Sequence, residues 1–93
     1  MKLMVCIINR KYTSRFVNIL NTKGYRVTKL ASIGGFLKQG NDTLLIGVGN
    51  EQLEPLQQEM KEAVLAIEKE KKWSPETNRY TSFVITGHNF LPI

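Results

Sequence analysis

A chain of 93 residues has room for one domain and one core, and its 42% apolar content is that of an ordinary folded protein. No apolar run approaches the ~20 residues needed to cross a bilayer, so membrane insertion is not expected. The net charge of +5 is uneven: residues 1–41 hold Lys2, Arg10, Lys11, Arg15, Lys23, Arg26, Lys29 and Lys38 and no acid, whereas residues 42–93 set five bases against eight acids. The asymmetry points to an anionic partner near the first half, although any one of these cations reads as well as a solvated side chain. Met1-Lys2 leads straight into an apolar run without a cleavage-site pattern, and the expectation is a cytoplasmic protein.

The first element is "LMVCIIN" (3–9), with Leu3, Val5 and Ile7 on one side and Met4, Cys6 and Ile8 on the other, the pattern of a strand covered on both faces. Tyr12, Phe16, Ile19 and Leu20 then recur at helical spacing, with Thr13 or Ser14 as cap and Gly24 just past the end, which predicts a helix over 13–23. "YRVTKLASI" (25–33) and "DTLLIGVG" (42–49) read as the second and third strands. Leu53, Leu56, Met60, Ala63, Val64 and Ile67 form one apolar stripe, giving a helix over 51–71 whose start Pro55 can shift to 53 or 54. The run "EKEKK" (68–72) closes it as a solvated, dipole-compatible end. "RYTSFVIT" (79–86) is the fourth strand.

The order βαββαβ predicts an α+β, ferredoxin-like single domain over 1–93, a four-stranded antiparallel sheet with two helices on one face. Two helices cover only one side of that sheet. Strands one and three are apolar on both, so another copy of the chain is expected against the second face.

Reactive groups are scarce. Cys6 lies within an apolar strand and His88 is the only histidine, so no metal, disulfide or catalytic triad is expected, and the reading is of a protein that is not an enzyme. The connection "NRKYT" lacks the glycine of an acylphosphatase phosphate loop. Strands one and three carry no aromatic on which RNA bases could stack, which argues against a nucleic-acid partner.

"TKLASIGGFLKQGND" (28–42) is different. Gly34-Gly35 permits close approach to backbone N–H groups, Arg26 supplies a cation, Thr28 a hydroxyl, Asn41 an amide, and Phe36-Leu37 a flat apolar surface, a set that suits a nucleotide. A hairpin connection with a Gly-Gly turn accounts for the same residues, and the residues alone leave both readings open.

"RVTKLASIGGFLKQGNDTLLIGV" (26–48) resembles the segment that marks the PII-like cyclic di-AMP receptor family, with a T-K-L-A strand, a G-G-F-L turn and a G-N-x-T strand start in that order. The likeness covers roughly residues 1–70 and returns at "TSFVIT" (81–86). It implies a ferredoxin-like core, a homotrimer, and a cyclic dinucleotide held in pockets between subunits, with no cofactor beyond the ligand and a protein target to which occupancy is relayed. Carried onto this chain, the pocket comprises Arg26 and Thr28, then Gly35, Phe36 and Leu37, then Asn41 and Gly47, and finally Phe83. The chain departs from the family in its short "WSPETNRY" connection and in ending "HNFLPI". A PII-like interaction module that binds another nucleotide such as ATP, or none, is the alternative.

Overall fold

The computed structural model describes residues 2–30, 40–75 and 79–86. In chain order these form β1 (Lys2–Asn9), α1 (Arg10–Thr22), β2 (Val27–Leu30), β3 (Asn41–Val48), a 3-10 turn (Asn50–Gln52), α2 (Leu53–Lys71) and β4 (Tyr80–Thr86). The sheet order is β2-β3-β1-β4, with every neighbouring pair antiparallel. This is the expected ferredoxin-like α+β arrangement, with β2 and β4 as the edges.

Pleating sorts β1 as its sequence predicts. Met4, Cys6 and Ile8 are fully buried, pair with Ile46, Leu44 and Asp42, and join Tyr12, Phe16 and Leu20 of α1 and Leu56 and Met60 of α2 in one core. Burial pushes the Cys6 thiol up to about 12, as an apolar surrounding disfavours the thiolate.

The first helix begins three residues before the expected 13, at Arg10, and ends at Thr22. Its cap is the last strand residue, Asn9, whose Oδ1 accepts from the Lys11 N–H at 3.1 Å. Thr13 is buried inside the helix and Ser14 is exposed on it, so neither caps it. Gly24 stops the helix with φ +94°, and its N–H donates to the Asn21 carbonyl at 3.0 Å. β2 starts at Val27 rather than 25, and the expected residues 31–33 lie outside the described residues. β3 runs one residue earlier than expected at each end.

α2 starts at 53, as Pro55 allows: the proline occupies the first turn, where a backbone N–H has no intrahelical acceptor. Ahead of it, the Gly49 N–H donates to Gln52 Oε1 at 3.1 Å. The helix ends at Lys72, in the left-handed region at φ 59°.

The charge run at that end is not uniformly solvated. Glu68 is only 4% exposed. Tyr12 Oη donates to its Oε2 at 2.6 Å, and Arg79 grips both oxygens, Nε at 2.6 Å and Nη2 at 3.0 Å. The Trp73 ring meets Tyr12 edge-on at 5.3 Å, with the Lys11 ammonium 4.7 Å over Trp73. Since Asn9 N–H donates to the Arg79 carbonyl at 3.1 Å, this cluster ties the starts of α1 and β4 to the end of α2.

Candidate ligand-binding site

The face of the sheet turned away from the helices is assembled by register. One row crosses it from edge to edge: Thr28 pairs with Leu45, Leu45 with Val5, and Val5 with Phe83. Gly47, Leu3 and Ile85 make a parallel row, and Leu30, Thr43, Ile7 and Thr81 another, with Asn41 opposite Asn9 beyond it. Phe83, Ile85 and Leu30 are 50%, 41% and 40% exposed. An apolar sheet face this open is the signature of an interaction surface.

Of the sequence-predicted site residues, Thr28, Asn41, Gly47 and Phe83 therefore share one face, and Arg26 lies exposed just before β2. Thr28, Asn41 and Gly47 lie on the adjacent strands β2 and β3, with Thr28 opposite Leu45 and with Asn41 and Gly47 near opposite ends of β3, about 20 Å apart. Phe83 does not join them within the chain: it stands on the opposite edge, three strand spacings or about 14 Å away from Thr28. Gly35, Phe36 and Leu37 lie outside the described residues.

On the helix side of the same strand, Asp42 is 5% exposed and fully engaged. Thr13 Oγ1 donates to Oδ2 at 2.7 Å, Arg10 Nε donates to Oδ1 at 3.3 Å, and Lys29 Nζ stands 4.0 Å from Oδ2. Burial pushes the carboxyl up, but the Thr13 hydrogen bond and the Lys29 and Arg10 cations outweigh it and hold the group below the usual carboxylate range. Part of the basic first half is thus spent on an internal anion. Two clefts open between helix and sheet edge, about 390 Å³ beside Arg10, Val27 and Asp42 and about 460 Å³ beside Lys61, Leu65 and Tyr80. None of the described residues that line them is a sequence-predicted site residue.

Sequence reasoning missed the Tyr12–Glu68–Arg79 cluster and the Asp42 cluster because each joins residues distant in the chain. It also passed over Thr43, whose buried Oγ1 has no hydrogen-bond partner among the described residues. No group of three or more His, Cys, Asp or Glu placed to hold a metal occurs among the described residues, and no helix among them is long and apolar enough to cross a membrane.

A four-stranded antiparallel sheet with two helices and the order βαββαβ define a domain of the ferredoxin-like class. The family model described as cyclic-di-AMP receptor matches residues 1–82, and the chain belongs to that PII-like receptor family. Among solved structures it is similar to a functionally unknown protein from Pediococcus pentosaceus, at 24% identity over 99% of this chain and 96% of that one, with a TM-score of 0.64. That likeness concerns the fold.

Proposed function

We propose that this chain is a cytoplasmic sensor that binds cyclic di-AMP in pockets between the subunits of a homotrimer and passes occupancy to a protein target, with no chemistry on the ligand. The observation that carries the reading is the apolar sheet face turned away from the helices, along which β2 and β3 set Thr28, Asn41 and Gly47 and β4 sets Phe83 at the opposite edge.

Arg26 and Thr28 meet the phosphodiester, as a cation and a hydroxyl suit an anion. Asn41 offers both donor and acceptor to an adenine edge. Gly47 leaves the β3 backbone bare for close approach. Gly35, Phe36 and Leu37 supply backbone donors and an apolar surface for the base. Phe83 stacks on a base held at the neighbouring subunit's β2–β3 edge, because its own edge is too distant.

Calorimetric titration with cyclic di-AMP, cyclic di-GMP and ATP tests the reading. Preferential binding of cyclic di-AMP at one site per chain is expected; binding of ATP alone, or of none of the three, overturns it. Light scattering at micromolar concentration is expected to give three times the chain mass, and a clean monomer would remove the shared pocket.

A further inference from the structure

Asn41, the proposed base contact on β3, is the first residue of its strand and follows Gly40, whose φ is +90°. The described β2–β3 pairing stops two residues short of it, at Leu30–Thr43, and among the described residues its sheet partner is Asn9 of β1. The end of a strand is where local opening starts. Arg10, the first residue of α1, contacts three consecutive residues there. Its backbone N–H donates to the Gly40 carbonyl at 2.8 Å, Nη2 to the Asn41 carbonyl at 3.3 Å and Nε to Asp42 Oδ1 at 3.3 Å. The carboxylate is itself fixed, since Asp42 is buried and its Oδ2 accepts from the Thr13 hydroxyl at 2.7 Å. One planar guanidinium thus spans a main-chain carbonyl and a buried carboxylate, which the point charge of a lysine does not reproduce.

Stability alone does not account for this arrangement. The Arg10 side chain is 60% exposed, and exposed ion pairs contribute little to folding. We propose that Arg10 is a positioning residue for the ligand, holding the main chain of Asn41 so that its side-chain amide is already set for the purine edge before cyclic di-AMP arrives. The inference rests on the proposed function above. A binding group ordered in advance loses no affinity to its own immobilisation. Arg10 therefore acts through Asn41, without touching the ligand.

The test is calorimetric titration of cyclic di-AMP into wild type, Arg10→Ala, Arg10→Lys, Asn41→Ala and the double variant Arg10→Ala/Asn41→Ala, with thermal melting of each ligand-free protein. Arg10→Ala is expected to weaken binding about fivefold in the wild-type background and less than about twofold in the Asn41→Ala background, since a residue acting through another adds nothing once that other is gone. Arg10→Lys, charged but without the fork, is expected to bind as weakly as Arg10→Ala. The melting temperature of Arg10→Ala is expected to stay within about 5 °C of wild type. Equal affinity of wild type and Arg10→Ala, or of wild type and Arg10→Lys, overturns the inference while the proposed function stands. A fivefold loss that persists in the Asn41→Ala background makes Arg10 an independent contact and also overturns it, as does a larger fall in melting temperature, which marks a purely structural residue. If wild type itself does not bind cyclic di-AMP, the proposed function falls and takes this inference with it.

Discussion

The two faces of the sheet are made from the same strands and end in opposite states. Toward the helices, Met4, Cys6, Ile8, Leu44 and Ile46 are fully buried, and the carboxylates there, Asp42 and Glu68, are both held by cations and hydroxyls. On the far face, Phe83, Ile85 and Leu30 are open to solvent and the buried Thr43 hydroxyl has no hydrogen-bond partner among the described residues. One face is completed by the chain's own helices. The other is apolar and open to solvent at Leu30, Phe83 and Ile85 while Val5 and Thr43 at its middle are buried, and exposed apolar area of this kind marks interaction surfaces in general.

The largest effect expected is from a charge placed in the middle of the open face. Val5 is 7% exposed in the single chain, and Val5→Asp should abolish soluble assembly, read as loss of the proposed trimer by light scattering, because an unpaired buried charge costs several kcal/mol. A Val5→Asp protein that remains trimeric would show that this face is not the interface. On the helix side, Arg79→Ala removes two hydrogen bonds from the buried Glu68 carboxylate and should lower the midpoint of denaturant titration, and an unchanged midpoint would show that the pair contributes nothing net.

The proposed ligand contacts should behave in the reverse manner. Asn41→Ala and Phe83→Ala are each expected to weaken cyclic di-AMP binding by ~1–3 kcal/mol, with the half-exposed Phe83 costing the fold little. Equal affinity in both variants would move the pocket elsewhere.

Two smaller effects sharpen the closed face. Asp42 titrates below its unfolded value, so its stabilisation is fully present above that value and is lost as the pH falls through about 4 and toward the lower native value. Asp42→Asn should flatten that limb of the stability–pH curve, and an unchanged acid limb would assign it to other carboxylates. Cys6→Ala should cost about 1 kcal/mol through lost packing and leave ligand selectivity alone, and the native thiol should resist labelling at pH 8.

The elements with strong periodicity were legible before any coordinates. The alternation over Leu3–Ile8 gave β1 and its two faces, and the stripe from Leu53 to Ile67 with Pro55 gave α2 and its start at 53. The start of α1 was not, because Asn9 serves as the last strand residue and the helix cap together, and a pattern search assigns it to one element. Glu68 looked like solubilising charge because its partners, Tyr12 and Arg79, are 56 and 11 residues away. For the site, the strands that carry Thr28 and Gly47 were legible, whereas the placing of Thr28, Asn41 and Gly47 on one face follows from the register of β2 on β3. The separation of Phe83 from them follows from strand order, which pairing decides and periodicity does not.

That row from Thr28 to Phe83 has a genetic consequence in the proposed trimer. Each pocket takes its β2–β3 edge from one chain and its Phe83 from the next, so two defective alleles can rescue one another. A chain carrying Asn41→Ala still lends an intact Phe83, and a chain carrying Phe83→Ala still lends an intact Asn41. Refolded together, they form mixed rings in which one junction is wild type whichever allele is in the majority. Cyclic di-AMP binding would then reappear in a mixture of two proteins that bind poorly alone, while two alleles altered on the same edge would stay silent.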